Sequence, residues 1–349
     1  MSEVPFIITV DTEGDNLWAK PREITTHNAA YLPRFQSLCE RFRFKPVYLT
    51  NYEMALSDAF VEFARDVIAR DAGEVGMHLH AWNSPPLDPL TDDDFRYQPY
   101  LIEYPAPTMK EKIRIITRLL EERFDQPMVS HRAGRWAFDG RYAAMLLDAG
   151  YRVDCSVTPG VDWRTSPGAP GGRGGSDYRD FPFNPYFFNP ADIALATTGA
   201  LLEVPMTVLP GALYRKARWA YRIPLLCRAA NKVSLSLSWL CPTPLMQKPN
   251  LQPMLEVAHT ARAERVTHLE FMVHSSELMP RGSRAFMNES DIERLYEYLE
   301  TLFEQLSSWC RGVTLKEFEA QFKKVTGEVK SNGRSPGLAD RAPILARQL

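Results

Sequence analysis

Short apolar runs alternate with amphipathic segments along most of the 349-residue chain. Runs rich in β-branched residues, such as Val4–Val10 and Pro46–Thr50, have the length and composition of buried strands, whereas the apolar residues of 28–42 and 57–70 recur at helical spacing. The same criteria predict further strands at 74–80, 128–130, 151–153, 201–208 and 267–273, and further helices at 108–124, 139–149, 290–309 and from 314 onward. About eight strand–helix repeats predict an α/β barrel or a closely related wound sheet.

Helix starts are marked by the Ser/Thr-x-x-Glu spacing of the capping box. The candidate pairs are Thr108 with Glu111, Ser290 with Glu293, and Thr314 with Glu317. In such a box the two side chains bond each other's backbone N–H groups at the first turn. We therefore expect a helix to begin directly after each of the three hydroxyl residues.

No break in composition divides the repeats, so residues 1–325 are predicted to form one barrel domain. Loop insertions are expected at 82–107 and 157–200, and the basic, aromatic segment 211–240 is expected to be helical. Residues 326–349 are polar and lack periodicity, which predicts a poorly ordered tail.

Ionisable side chains are concentrated where the predicted strands end. They are Asp11 and Glu13 after the first strand, His78 and His80 at the end of the third, Arg132 after the fourth, Asp154 after the fifth and His274 after the seventh. In a parallel barrel these ends share the face on which active sites form. Because side chains two residues apart in a strand lie on one face, His78 and His80 can reach a single metal ion.

Composition places these residues in a soluble globular protein. Hydrophobic residues make up 45% of the chain, enough for a full core. With 41 basic and 43 acidic residues there is no electrostatic footprint for nucleic acid. The N-terminal segment lacks the pattern of a signal peptide, and no apolar run is long enough to span a membrane. Five cysteines without a CxxC pair favour free thiols in a reducing compartment, so a cytoplasmic location is expected.

The residue types at the strand ends suit metal-assisted hydrolysis of an amide or ester. One carboxylate and two imidazoles form a metal site that leaves positions open for water and substrate. A second carboxylate can deprotonate the bound water, and a third histidine can protonate the leaving group. An arginine can orient the base, and a further carboxylate can keep the third histidine charged.

Five motifs in this order resemble the polysaccharide deacetylase superfamily, the NodB-homology domain of carbohydrate esterase family 4. They are Thr9–Gly14, Glu74–His78, Arg132–Trp136, Asp154–Ser156 and Met272–His274. Within the superfamily, the phrases 10–15, 78–83 and 273–278 are most similar to the subgroup named for the lipopolysaccharide-biosynthesis protein WalW. The resemblance covers roughly residues 4–320. It implies a distorted (β/α) barrel of about seven to eight strands.

The resemblance implies a catalytic role for each of four residues. Asp11 would be the base that deprotonates water, and Arg132 would orient it. His274 would be the general acid that protonates the departing amine, and Asp154 would tune the pKa of that histidine. The implied reaction is removal of an N-acetyl or related acyl group from a sugar.

The implied metal ligands are Glu13, His78 and His80. Glu13 replaces the family's metal-binding aspartate at a spacing one residue longer, and Asp15 is the alternative carboxylate. The family spaces its histidines as H-x-x-x-H, and Trp82 takes the second of those places here, so His80 would bind from a different backbone position. One divalent transition-metal ion is implied. Zinc is the expected ion, and cobalt, nickel, manganese or iron would also fit.

Substrate contacts are expected from aromatic residues near these motifs. Trp82, Trp136 and Trp163 can stack on sugar rings, with Trp136 walling the cleft. The segment Arg215–Lys232 is either a solvated helical face or a patch that contacts a membrane surface and an anionic, lipid-linked glycan. A cytoplasmic or membrane-peripheral location follows.

The function expected from these features is metal-dependent N-deacetylation of a sugar in cell-surface polysaccharide or lipopolysaccharide biosynthesis. Two alternatives stay open. One is an amidohydrolase that acts on a non-carbohydrate C–N bond, and the other is a catalytically inactive carbohydrate-binding barrel. The content of bound transition metal separates an active enzyme from an inactive barrel.

Overall fold

The computed structural model describes residues 3–210, 237–243, 251–264 and 266–331. The strands in these ranges are β1 Val4–Thr12, β2 Pro46–Thr50, β3 Glu74–Leu79, β4 Ser130–Ala133, β5 Val153–Asp154, β6 Tyr186–Phe188, β7 Leu201–Glu203, β8 Val208–Pro210, β9 Leu237–Trp239, β10 Leu269–His274 and β11 Cys310–Gly312. The α-helices are α1 Leu32–Arg41, α2 Tyr52–Leu56, α3 Asp58–Ala69, α4 Asp94–Tyr97, α5 Ala106–Phe124, α6 Gly140–Asp148, α7 Leu251–Glu264, α8 Glu289–Ser307 and α9 Leu315–Ser331.

One mixed sheet contains nine of these strands, in the order β10-β1-β2-β3-β4-β5-β7-β6, with β11 also pairing with β1. Neighbours run parallel from β10 through β7, and β6 alone is antiparallel. Helices connect β1 to β2, β2 to β3, β3 to β4 and β4 to β5, as parallel neighbours require. The α/β class predicted from the sequence is confirmed.

The sheet curls into an incomplete barrel. The chain beyond β7 turns back toward β10, where the Glu270 N–H donates to Thr207 Oγ1 at 2.7 Å. The Met272 N–H donates to the Leu240 carbonyl at 3.2 Å. These bonds join the two sides of the curled sheet without a continuous strand ladder, which is the distorted barrel that the family resemblance implied.

Side chains of the sheet alternate between an outer and an inner layer. In β1, Phe6, Ile8 and Val10 pack against the helices, while Ile7 faces the barrel interior. The interior apolar cluster comprises Ile7, Val47, Leu49, Val153, Cys155, Leu202, Val204, Val313, Leu315, Phe318 and Phe322. Three of its members lie in α9, whose Lys316 N–H donates to Glu74 at the start of β3 at 2.9 Å. Helix α9 therefore closes the end of the barrel at which the strands begin.

The ends of two helices test the predicted caps. The Thr314 N–H donates to Glu317 Oε2 at 3.0 Å and the Glu317 N–H to Thr314 Oγ1 at 3.2 Å, so this capping box is confirmed. At the start of α8, the Asn288 side chain accepts from the Asp291 N–H at 3.0 Å. Asn288 therefore takes the capping position predicted for Ser290, because an amide oxygen caps as well as a hydroxyl.

Other boundaries also differ from the pattern. Helix α5 begins directly after Pro105, so Thr108 lies inside the first turn and its predicted capping box is wrong. Strand β9 occupies 237–239, the end of the segment predicted to be helical, because it pairs with β8. Residues 211–236, with the basic patch, lie outside the described residues. Helix α9 continues to Ser331, and 332–349 are likewise outside.

The glycine-rich loop 166–176, within the second insertion, packs on the carboxylate of Glu103. The Ala169 N–H donates to Glu103 Oε2 at 3.0 Å, and a Cβ on Gly172 would lie 2.0 Å from the other oxygen of that carboxylate. Arg135 Nη2 donates to the Pro167 carbonyl at 2.7 Å. The loop is therefore fixed beside the residues that follow β4.

Among the described helices, none is both long and apolar enough to cross a bilayer.

Candidate metal centre and catalytic residues

A polar layer lies inside the barrel, above the apolar cluster. Alternation along β1 turns Thr9 and Asp11 to the same side as Ile7. Arg132 of β4 is fully buried there, and its Nη1 donates to Asp11 Oδ1 at 2.6 Å. Its Nη2 donates to Thr9 Oγ1 at 2.9 Å and also to Glu270. The Arg132 guanidinium therefore donates hydrogen bonds to two buried carboxylates, those of Asp11 and Glu270.

The two charges on either side keep this group ionised. Burial lowers the pKa of Arg132, but the charges of Asp11 and Glu270 are among those that raise it above its ordinary value. Burial raises the pKa of Asp11, and the charges of Arg132, His78 and His274 outweigh burial and lower it overall. Asp11 is therefore ionised at neutral pH, the form that a general base needs.

Glu13, His78 and His80 converge next to this pair. His78 Nε2 lies 3.0 Å from His80 Nε2, which lies 2.9 Å from Glu13 Oε2. Glu13 Oε2 is 3.7 Å from His78 Nε2. A tetrahedral ion about 2.0–2.1 Å from each ligand places the ligands about 3.3 Å apart. The three atoms are therefore spaced as ligands of one metal ion.

Hydrogen bonding supports that assignment. His78 Nδ1 lies 3.0 Å from the Arg132 carbonyl, which can only accept, so Nδ1 carries the proton and Nε2 has a free lone pair. Glu13 Oε1 is buried and has no hydrogen-bond partner among the described residues. A bound cation would satisfy that carboxylate. The residues present therefore fit a divalent ion.

Protonation states point the same way. Burial lowers the pKa of His80 to about 4, and the hydrogen bond to Glu13 only partly opposes this. Burial raises the pKa of Glu13, but hydrogen bonds to His78 and His80 lower it well below its usual range. A neutral imidazole and an ionised carboxylate are the forms that bind metal.

The loop after β1 is held so that Glu13 faces the histidines. The Glu13 N–H donates to Ser275 Oγ at 3.0 Å, and Asn28 Nδ2 donates to the Glu13 carbonyl at 2.9 Å. Asp15, the alternative carboxylate, instead accepts from Thr25 Oγ1 at 2.8 Å and from the Asn28 N–H at 2.9 Å. Of the two candidates, the structure brings Glu13 to the site.

His274 lies beside Asp11 in the register of β10 and β1. Its backbone N–H donates to Glu277 Oε2 at 2.9 Å, and its Nδ1 is 3.3 Å from the same oxygen. Burial lowers the pKa of His274, but the Glu277 hydrogen bond and the charges of Glu277, Glu13 and Asp11 raise it to about 10. His274 is therefore charged at neutral pH.

Asp154 does not take the place predicted for it beside His274. In β5, Val153 and Cys155 belong to the interior cluster, so alternation turns Asp154 toward the helices. Its Oδ1 lies 2.6 Å from His131 Nδ1 and accepts from Ser156 Oγ at 2.8 Å. The carboxylate that holds His274 is Glu277, and the expected role of Asp154 is corrected accordingly.

The predicted substrate-binding tryptophans occupy different depths. Trp82 is buried, with its ring 4.3 Å from that of His80. The Trp136 ring lies 4.8 Å from Arg132 Cζ. Trp163 Nε1 donates to Thr158 Oγ1 at 2.8 Å, and both Trp136 and Trp163 are partly exposed beside the apolar cluster of Met206, Val208, Trp239, Cys241 and Met272. Trp136 and Trp163 therefore keep part of each ring exposed to solvent.

Sequence reasoning missed three residues that contact this site. Glu277 lies three residues after His274, in the turn that follows β10. Glu270 lies on the same inward face of β10 as His274 and bonds Arg132. The Trp18 ring lies 5.5 Å from the His274 ring. Period-2 alternation could have identified Glu270, and the i, i+3 spacing could have identified Glu277. No local signal identifies Trp18, because its loop reaches β10 only in the folded chain.

Comparison with known proteins was negative at the level of sequence and informative at the level of structure. No family model and no curated protein matches the chain. A 4-alpha-glucanotransferase from Thermococcus litoralis has a TM-score of 0.52 at 12% identity, over 92% of this chain. This chain spans only 41% of that enzyme.

A putative polysaccharide deacetylase from Mycobacterium smegmatis has a TM-score of 0.50 at 12% identity, over 96% of this chain and 93% of its own. Identity this low is evidence about fold, and two such different enzymes show that one architecture carries more than one activity. The chain therefore has a polysaccharide-deacetylase-like α/β barrel fold, and its activity must be argued from the site.

Proposed function

We propose that this protein is a metal-dependent hydrolase that removes an N-acetyl or related acyl group from a sugar. The observation that carries the proposal is the set of groups around Glu13, His78 and His80. A carboxylate base, Asp11, lies on one side of the three ligands, and a charged histidine, His274, lies on the neighbouring strand. Metal-assisted amide hydrolysis uses this combination of a metal site, a base and an acid.

The residues divide the reaction between them. Asp11 Oδ1 is occupied by Arg132, so Oδ2, which lies 3.9 Å from His78 Nε2, is free to accept the proton of the attacking water. His274 is held at Nδ1 by Glu277, so Nε2 donates a proton to the departing nitrogen. The water oxygen first adds to the acyl carbon as its proton passes to Asp11, and the C–N bond then breaks as His274 protonates the nitrogen, which releases a carboxylic acid and an amine. A bound divalent ion would polarise the acyl carbonyl and lower the pKa of its water.

Two features support a sugar as the substrate. The partly exposed rings of Trp136 and Trp163 can stack on the apolar face of a pyranose, and that of Trp136 lies 4.8 Å from Arg132 Cζ. The M. smegmatis protein with a similar fold bears the name putative polysaccharide deacetylase. The sequence phrases similar to the WalW subgroup further support a substrate from cell-surface polysaccharide or lipopolysaccharide biosynthesis.

Zinc is the proposed metal, because two imidazoles and one carboxylate with open positions are a common zinc ligand set. A cytoplasmic or membrane-peripheral site of action is proposed from the sequence alone. Its membrane contact would lie in the segment Arg215–Lys232. Binding of the protein to anionic but not to neutral vesicles would support that contact.

The test is acetate release by the purified, zinc-supplemented protein from a panel of nucleotide-linked and lipid-linked N-acetyl sugars. Asp11→Asn and His274→Ala should each lower kcat at least roughly 100-fold, the usual contribution of a general acid or base. His27→Ala is the control, since its side chain is 76% exposed. Full activity in either variant of the site overturns the assignment.

The same experiment separates the alternatives. Release of acid from non-carbohydrate amides, with none from any sugar, would favour a different amidohydrolase. Saturable glycan binding without bound zinc and without turnover would favour an inactive carbohydrate-binding barrel.

A further inference from the structure

The turn Ser275–Leu278 follows β10 directly and returns a carboxylate to the residue at which the strand ends. We propose that Glu277 is the positioning residue of His274, and that it does for this histidine what Asp154 was expected to do. The inference rests on the proposed function for the reaction that His274 serves. The geometry of the pair is independent of that reaction.

A single oxygen of Glu277 fixes both the backbone and the ring of His274. Oε2 accepts from the His274 N–H at 2.9 Å and lies 3.3 Å from Nδ1. An ionised carboxylate can only accept, so Nδ1 carries a proton and Nε2 is the nitrogen left for the substrate. The ring can rotate away only if this contact breaks.

The other oxygen of Glu277 is also occupied. Thr243, which follows β9, donates its hydroxyl to Glu277 Oε1. Glu277 itself is only 4% exposed. A carboxylate held at both oxygens keeps one orientation, so the contact with His274 is pre-organised rather than formed on substrate binding.

Charges from three elements face His274. Glu277 comes from the turn, Asp11 from β1 and Glu13 from the loop after β1, and all three stabilise the imidazolium. The carboxylates of Asp11 and Glu13 are already engaged, with Arg132 and His80 respectively. Glu277 alone of the three bonds the ring of His274, so it can fix the orientation of the ring as well as its charge.

Two other buried carboxylates of the sheet, Asp154 and Glu270, are committed elsewhere. Asp154 bonds His131 and Ser156 on the helix side of β5. Glu270 lies on the inward face of β10, four residues before His274, and there it bonds Arg132 and Thr9. Neither of these carboxylates has a described contact with His274.

The test measures the His274 pKa by NMR in full-length protein with labelled histidine and one equivalent of zinc, with the resonance assigned by its loss in His274→Gln. Glu277→Gln keeps the size of the side chain and removes its charge. We expect the His274 pKa to fall by at least about one unit. In the matched variant Asp154→Asn it should stay within about 0.3 units, because that carboxylate faces the helices.

An unchanged His274 pKa in Glu277→Gln, or an equal fall in Asp154→Asn, overturns the inference. If Glu277→Gln does not fold, Thr243→Val is the second variant. It leaves the charge but frees Oε1, and it should lower kcat more than it changes KM, with no effect on the zinc content. An unchanged kcat in Thr243→Val counts against the inference as well.

Activity separates this inference from the proposed function. Where acetate is released, the alkaline limb of the kcat profile in Glu277→Gln should move to lower pH together with the His274 pKa. If no acyl sugar is cleaved by the wild type but the His274 pKa responds as expected, the proposed function fails and the positioning role of Glu277 stands.

Discussion

Replacing Arg132 with methionine removes the charge on which the interior of the barrel depends. In the wild type this guanidinium is fully buried between Asp11, whose side chain is 4% exposed, and Glu270, whose side chain is not exposed. Methionine fills much of the same volume but provides no donors. The variant therefore buries Glu270 without a counter-ion, and Asp11 keeps the charge of His274 but loses the cation that bonds it.

The expected cost follows from this geometry. Removing one partner of a buried ion pair destabilises a protein by about 3–5 kcal/mol, and a guanidinium shared by two carboxylates should give the upper part of that range near pH 8. Burial already raises the pKa of Glu270 to about 7 with Arg132 present. Arg132 is the first of the charges that lower the pKa of Asp11. Without Arg132, both pKa values of the folded protein must rise.

The pH dependence follows from these directions. The folded variant binds more protons than the folded wild type over the range between the old and new pKa values, while the unfolded chains are alike. The loss of stability therefore grows with pH, by about 1.4 kcal/mol for each pH unit and each carboxyl affected. We expect the loss at pH 8 to exceed that at pH 5.5 by about 2 kcal/mol.

Urea unfolding followed by tryptophan fluorescence at the two pH values, with a chelator present, measures both quantities. Arg141→Met is the control, because this arginine is 49% exposed and pairs with Asp139 at the surface, where about 0–1 kcal/mol is expected. Adding Glu270→Gln to Arg132→Met should restore part of the stability at pH 8. A loss below about 1 kcal/mol, or one that does not shrink at low pH, refutes the reasoning.

Three further predictions concern the metal and the substrate. His78→Ala and His80→Ala should each weaken zinc binding in calorimetry by more than about 100-fold, since loss of a residue that only hydrogen-bonds a metal ligand already costs about 10–100-fold. The control variant His27→Ala should leave the affinity for zinc unchanged. Unchanged affinity in either ligand variant would exclude that histidine from the site. Trp18→Ala should raise KM about 2–10-fold with a smaller effect for Trp18→Phe, because its ring faces His274, and an unchanged KM would remove Trp18 from the substrate contacts. Turnover should fall at alkaline pH as His274 gives up its proton, at a pH above the ordinary histidine pKa because the Glu277 hydrogen bond raises the pKa of His274, and an alkaline limb at or below that ordinary value would contradict this.

The fold could be predicted because the strands and helices of this chain follow local patterns. The strand Pro46–Thr50 was predicted to the residue, and α3 within one residue of each end, since buried strands and amphipathic helices have distinct periods. The cap at Thr314 was equally predictable from two residues. The cap at Asn288 was missed because several local side chains can satisfy the same free N–H groups. The start of α5 was missed because Pro105 begins that helix without any side-chain cap.

Strand-end position and alternation also account for much of the candidate site. Glu13, His78 and His80 were singled out from their places at two strand ends, and the structure brings their ligand atoms within 4.8 Å of one another. Alternation in β3 turns both histidines inward because Val75, Met77 and Leu79 pack outward against the helices. The pairing of Arg132 with Asp11 joins strands β4 and β1, and no local sequence pattern indicates that these two residues are in contact.

The carboxylate that bonds His274 was not identified from local sequence patterns. Motif order placed Asp154 beside it, but β5 has only two residues in the sheet, and the inward positions of Val153 and Cys155 turn Asp154 the other way. Glu277 takes that place because a single turn after β10 brings its carboxylate back. By itself the sequence determined the alternation of elements, the strand ends and the residue types present there, since these depend on near neighbours. Only the tertiary structure decided which of those charges meet, because the curl of the sheet and the face of each side chain set distances between residues that are far apart in the chain.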